Sequence, residues 1–235
     1  MAERLTLAGL RVLTWDLRGH GRSDGARGDI RSYEMLVDDL RELWAIAGSG
    51  PGPIFLYGHS LGGQITLNFA VRDKPAAAGL VITSPWLRLA FAPPAWKVSL
   101  ARVAARVWPS FTQDTEMDAA RLSRDGEFLR AMPDLHLVHH RMSARMYHAL
   151  MDGAERAFRE GARLAYPMLL LHGAEDPVTC VDATKEFYHR SQSRNKALVI
   201  VQEALHETHN DLCRESVIEQ ITNWVEARLP APRND

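Results

Sequence analysis

Residues 54–63 read Ile54-Phe55-Leu56-Tyr57-Gly58-His59-Ser60-Leu61-Gly62-Gly63, an apolar run that ends in a serine flanked by glycines. The run has the composition of a buried strand. Gln64-Ile65-Thr66-Leu67-Asn68-Phe69-Ala70 continues it with helical spacing, placing Ile65, Leu67 and Phe69 to pack on a sheet. A serine at a sharp strand-to-helix turn, in the frame Gly58-x-Ser60-x-Gly62, is a nucleophile elbow. Glycines at 58 and 62 are expected to remove side chains that would collide where strand and helix nearly touch. The turn lifts Ser60 above the sheet edge, and the first helical turn aims unpaired N–H groups towards it.

Outward from the elbow, strands alternate with helices. Arg11-Val12-Leu13-Thr14-Trp15-Asp16 is expected as a short strand ending in the glycine-rich turn Arg18-Gly19-His20-Gly21. A helix is expected over 33–47, with Leu36, Leu40, Leu43 and Trp44 on one face. Downstream, 79–83, 168–172 and 197–201 are continuous apolar strands. Helices are expected over 182–190 and 216–229, the latter turning Ile218, Ile221, Trp224 and Val225 inward. Fully apolar strands joined by helices imply a mostly parallel sheet covered on both faces. The fold class is α/β, with a core formed by 1–85 and 166–235.

Residues 86–165 break that rhythm. They contain helical patterns such as Trp96, Leu100, Val103 and Val107 but no convincing strand. A helical cap insertion over the carboxyl edge of the sheet is expected, the edge where open α/β sheets bind ligands. From Trp86 through Gln113 there is no acidic residue, while Arg88, Lys97, Arg102 and Arg106 are basic. Two readings stay open. The helices pack their apolar faces on the core with arginines in solvent, or they form a lid that admits lipid from a membrane surface.

Composition narrows the function classes. A chain of 235 residues with 46% hydrophobic content can bury one substantial core. A net charge of −1 argues against a nucleic-acid binder. Cys180 and Cys213 are the only cysteines and lack metal-ligand spacing, so no disulfide framework and a reducing compartment are expected. No apolar run approaches transmembrane length, and charges interrupt the opening residues too often for a secretion signal. The expected location is cytoplasmic, peripheral to a membrane on the lid reading. The tail, 230–235, is expected to fray.

A serine hydroxyl needs a base to take its proton, and the base needs an acid to orient it. In Leu171-His172-Gly173-Ala174-Glu175-Asp176-Pro177, a strand gives way to a loop that presents Asp176, with Glu175 as an adjacent rival. After the last strand comes Leu205-His206-Glu207-Thr208-His209-Asn210-Asp211. His206 lies nearer the strand end than its rival His209. All three candidates, Ser60, Asp176 and His206, follow the carboxyl ends of parallel strands. His59 is read as structural, pointing away from the apex, and His172 as packing beneath the acid loop. His136, His139 and His140 have a spacing that could bind a metal, but no carboxylate or cysteine completes the set, so they read as surface histidines. No metal or organic cofactor is implied. Cys180 and Cys213 read as small buried or half-buried residues.

A set of motifs spread over nearly the whole chain carries a resemblance. It comprises Asp16-x-Arg18-Gly19-His20-Gly21-x-Ser23-Asp24-Gly25, Arg27-Gly28, Val37-Asp38-Asp39-Leu40, Gly58-His59-Ser60-Leu61-Gly62-Gly63, and Ser84-Pro85-Trp86-Leu87. Late in the chain follow His172-Gly173-x-x-Asp176-Pro177 and His206-Glu207-x-x-Asn210-Asp211. The chain resembles the monoacylglycerol lipase and lysophospholipase-like branch of the α/β-hydrolase superfamily. The resemblance implies an eight-stranded, mostly parallel sheet with a helical cap, and cleavage of esters of single-chain lipids. It implies Ser60 as nucleophile, Asp176 as acid and His206 as base.

It also implies an oxyanion hole made by the N–H of Leu61 and a second N–H from a His-Gly-type loop upstream of the Arg11 to Asp16 strand. That loop is not among these residues, and 2–10 read as the end of the helix that follows it. A start assigned too late is the expectation, with strands missing from the middle of the sheet. Two rival functions remain: the same residues acting on a thioester, an amide or a non-lipid ester, and a non-catalytic binding protein of this fold.

Overall fold

The computed structural model describes residues 1–92, 94–115, 118–132 and 137–230, without the side chains at 95, 97, 98 and 100–102. Lys97, Leu100 and Arg102 of the cap pattern, His136, and tail residues 231–235 therefore lie outside what is described.

The core is a four-stranded parallel sheet, β1 (Phe55–His59), β2 (Gly79–Thr83), β5 (Met168–Gly173) and β6 (Lys196–Val201), in the order β1-β2-β5-β6. Residues alternate between its faces, as period-two strands must. Leu56, Leu80, Ile82, Met168 and Leu170 point to one side. There they meet α2 (Glu34–Gly48), α3 (Leu61–Asp73), α6 (Ala144–Gly161) and α7 (Val181–Arg190). Val81, Leu169, Leu171 and Val201 point to the other, against α8 (Arg214–Glu226) and the short α1 (Ala2–Leu7). The α/β class with helices on both faces follows from that alternation.

The strand expected over Arg11 to Asp16 does not form. A strand exists only by pairing, and no ladder joins 11–16 to β1 or to any other described strand. Leu13 and Trp15 are instead 48% and 36% exposed. The turn beyond is fastened locally: the Asp16 carboxylate accepts the N–H of Arg22 at 2.9 Å, and its carbonyl accepts the Ser23 hydroxyl at 2.6 Å. The sheet accordingly has four described strands rather than the eight implied by resemblance.

Residues 86–165 also depart from an all-helical segment. Beyond α4 (Ala95–Val107), β3 (Thr112–Asp114) pairs antiparallel with β4 (Arg141–Ser143), with α5 (Gly126–Ala131) between them. Three-residue strands are too short to show a period in sequence. At the far end, α6 is part of the core layer. Met146, Leu150, Ala154, Ala157 and Phe158 are buried, and the Gly153 carbonyl accepts Asn68 Nδ2 of α3 at 2.9 Å.

Candidate active site

Ser60 sits between β1 and α3 at φ 52°, ψ −118°, a left-handed conformation that a side chain adopts only when its surroundings enforce it. The enforcement is visible. Its N–H donates to Thr83 O at 2.9 Å, and its carbonyl accepts the N–H groups of Gly63 and Trp86, each at 3.0 Å. Not all the expected glycines matter equally. A Cβ on Gly58 would stand 2.5 Å from Gly62 O, and one on Gly63 would press Ile82 and Pro85 at 3.0 and 3.1 Å. A Cβ on Gly62 would meet nothing within 4 Å. The close approach of strand and helix thus falls on Gly58 and Gly63, not on Gly62.

The three candidates meet at the carboxyl ends of β1, β5 and β6. His206 Nε2 is 2.9 Å from Ser60 Oγ, and His206 Nδ1 is 2.8 Å from Asp176 Oδ2. Asp176 is fixed by its own loop: Oδ1 accepts the N–H groups of Val178 and Thr179, and Oδ2 accepts the Thr179 hydroxyl at 2.7 Å. Burial opposes its ionisation, yet hydrogen bonds from His172 and His206 hold the carboxyl well below the usual range. Burial pushes the His206 imidazole below its ordinary value, with the Asp176 bond opposing. At neutral pH the site therefore presents a carboxylate, a neutral imidazole and a hydroxyl in line. Such a line can draw the hydroxyl proton onto His206 and stabilise the cation formed. Leu61 N–H, at the start of α3, has no hydrogen-bond partner among the described residues.

The rivals sit elsewhere. Glu175 pairs with Arg124 at the surface. His209 is buried, with Nδ1 3.1 Å from the Tyr57 hydroxyl. His172 lies beneath the acid loop as expected, wholly buried between Thr184 and Thr179. His59 corrects its reading: it does not point away, since its ring lies 4.9 Å from that of His206. His139 bonds Gly19 O at 3.0 Å, and the described residues hold no cluster suited to a metal.

Two residues that shape the site carried no chemical signal in the sequence. Ser84, at φ 42°, donates its hydroxyl to His206 O at 2.9 Å. Asp211, 1% exposed, accepts the N–H groups of Arg124, Leu205 and Leu212 at 2.8–2.9 Å. It ties segment 121–125 to the loop bearing His206. The only hint was their place in the quoted motifs, after a strand and five residues past the histidine.

A parallel sheet with an elbow serine at its carboxyl edge is the architecture of an α/β-hydrolase. The model of the family described as serine aminopeptidase, S33, matches residues 1–213. Among relatives, the monoglyceride lipase of Mus musculus is 30% identical over 98% of this chain and 78% of its own length. An uncharacterized abhydrolase domain-containing protein of Dictyostelium discoideum is 30% identical over 99% of this chain, which spans only 25% of that protein. Among solved structures, the Paleococcus ferrophilus monoacylglycerol lipase is 29% identical, with a TM-score of 0.81 over 91% of this chain and 81% of the other. The chain belongs to the serine aminopeptidase S33 family and is a hydrolase of the α/β class, in its monoacylglycerol-lipase-like branch.

Proposed function

We propose that the protein hydrolyses carboxylic esters of single-chain lipids, monoacylglycerols or lysophospholipids, by two-step acyl transfer. His206 takes the Ser60 proton as the hydroxyl oxygen attacks the ester carbonyl, and Asp176 orients the imidazole and stabilises its charged form. The N–H of Leu61 steadies the tetrahedral oxyanion. His206 then protonates the departing alcohol and activates the water that releases the fatty acid. The observation that carries this reading is the span of His206 between Ser60 Oγ and Asp176 Oδ2, at 2.9 and 2.8 Å.

The apolar cap supports a lipid substrate. Trp96, Val103, Val107 and Trp108 are 64%, 58%, 80% and 63% exposed, in a stretch without acidic residues. Such a face suits transient contact with a lipid surface. No helix among the described residues is long and apolar enough to cross a membrane. The family description favours one alternative, cleavage of an aminoacyl amide. A panel of monoacylglycerols, lysophospholipids, acyl thioesters and aminoacyl amides, each read as kcat/KM, separates the two. Preference for lipid esters is the expected result; preference for the amide overturns the lipid assignment.

A further inference from the structure

The strand order sets a distance that His206 has to cross. Ser60 follows β1 at one edge of the described sheet and His206 follows β6 at the other, with β2 and β5 between them. Three strand steps amount to about 14 Å. His206 Nε2 nonetheless stands 2.9 Å from Ser60 Oγ. The loop after β6 folds back across the end of β5, so closely that a Cβ on Gly173 would collide with the carbonyls of Ala204 and Leu205. What it meets at the end of β2 is Ser84, the first residue past that strand.

Ser84 is wholly buried, and its hydroxyl donates to His206 O at 2.9 Å. The same carbonyl accepts the Thr208 N–H at 3.0 Å, but that bond is internal to the loop and travels with it. Leu205 N–H likewise goes to Asp211 within the loop, and Glu207 N–H goes to Leu122 O of the insertion at 2.8 Å. Among the described residues, the Ser84 hydroxyl is thus the bond that ties the backbone of 205–207 to the end of a sheet strand. Two residues on, Trp86 N–H donates to Ser60 O at 3.0 Å. The Ser84 carbonyl lies 3.2 Å from Thr179 Oγ1, the hydroxyl that also meets Asp176. One short segment, 84–86, therefore touches the loops that carry Ser60, Asp176 and His206.

The backbone of Ser84 is strained where it does this. Its φ of 42° lies in the left-handed region, which glycine adopts freely and a residue with a Cβ does not. Glycine would remove the strain but bring no hydroxyl. Such strain persists only where surroundings over-determine the residue, and it gathers at functional sites. Here the Ser84 N–H is held by Leu171 O at 2.8 Å while the side chain holds His206.

We propose that Ser84 is a positioning residue for the base, its hydroxyl holding the His206 backbone where the imidazole can span Ser60 and Asp176. This rests on the reading of Ser60 and His206 as nucleophile and base, and adds to it the contact that registers one against the other. Removing the hydroxyl leaves the His206 carbonyl still paired with Thr208, so no buried acceptor is orphaned there. The loss falls on the placement of the ring rather than on the fold.

Two variants separate hydroxyl from backbone. Ser84→Ala keeps the Cβ and its strained φ and deletes only the hydroxyl oxygen. Ser84→Gly deletes it too and frees the backbone. Kinetics on a monoacylglycerol are measured where circular dichroism shows each protein folded. In both variants kcat should fall about 10- to 100-fold with KM little changed, within what a misplaced catalytic group costs. Wild-type kcat in Ser84→Ala overturns the proposal, as does a loss confined to Ser84→Gly or one carried by KM alone. Failure of both variants to fold overturns it as well, since Ser84 then serves the fold.

A second arm needs no turnover. The His206 Nδ1 proton, held against the Asp176 carboxylate, should resonate at low field in the NMR spectrum of the whole chain and be assigned by its loss in His206→Gln. In Ser84→Ala and Ser84→Gly it should move upfield and broaden. An unchanged resonance in both overturns the proposal whether or not the protein hydrolyses anything. The expected shift in a protein whose wild type turns nothing over supports the placement of His206 and counts instead against the hydrolase reading.

Discussion

His172 Nε2 lies 3.1 Å from Asp176 Oδ2, so the carboxylate oxygen that meets His206 is shared between two imidazoles. His172 and the Asp176 side chain are both wholly buried there. A buried carboxylate is tolerated only when hydrogen bonds replace its water, and His172 is part of that replacement.

The sharing sets how the fold responds to acid. A carboxyl held below its unfolded value contributes stability that is present above that unfolded value, about 3.9, and is lost as pH falls through the folded one. His172→Gln removes one of the bonds that depress Asp176. Acid unfolding followed by circular dichroism should therefore begin at higher pH in His172→Gln than in the wild type. Coincident acid transitions would show that His172 does not carry this load.

As the proposed base, His206 sets how activity responds to acid. Burial lowers His206, and the Asp176 bond only partly offsets it. Only the neutral imidazole can accept the Ser60 proton, so kcat/KM should be level near neutrality and fall with unit slope in acid. Its midpoint should lie below the ordinary imidazole value of about 6.5. A midpoint clearly above that value would contradict the assigned environment.

Glycine roles at the elbow divide sharply. Gly58→Ala forces a methyl to within 2.5 Å of the Gly62 carbonyl, a backbone atom that cannot yield without moving α3. A loss of about 1–3 kcal/mol is expected. Gly62→Ala meets open space and gains helix propensity, so its melting temperature should hold or rise, by about 0.5–1 kcal/mol in stability. Thermal melts of the two variants, side by side, check both.

Asp211→Ala should injure stability and turnover together. It removes the acceptor of the Arg124 and Leu205 N–H groups, each a loss of about 1–3 kcal/mol where the group is left buried, whereas Leu212 is 71% exposed and its N–H can turn to water. Leu205 immediately precedes His206, so kcat should drop while KM changes less. Denaturant melts and steady-state kinetics on Asp211→Ala, with Asp211→Asn as the milder variant, measure both effects.

How far the sequence could be read depended on whether a feature is local. The sheet strands at 79–83, 168–172 and 197–201 were legible because each is an unbroken apolar run, and Ser60 because its neighbours spell a turn. Asp176 and His206 were legible from their place after strand ends. The segment 11–16 misled because an apolar run states a wish for burial, whereas a strand also needs a partner in the sheet. The β3–β4 pair is too short to leave a period, and α6 shows an apolar stripe that does not say which layer receives it. His59 escaped for a related reason: its partners Thr83 and Glu207 are 24 and 148 residues away, and no spacing reports such a meeting.

Everything turns on whether the Ser60 hydroxyl is activated where it stands. The direct measurement is labelling of the whole chain by a fluorophosphonate, with the modified residue located by mass spectrometry. The label should appear on Ser60, disappear in Ser60→Ala, and form about 10⁴-fold more slowly in Asp176→Asn, the loss seen when an orienting acid is neutralised. A folded wild-type protein that stays unlabelled, or a Ser60→Ala variant that labels as fast as the wild type, would contradict the account.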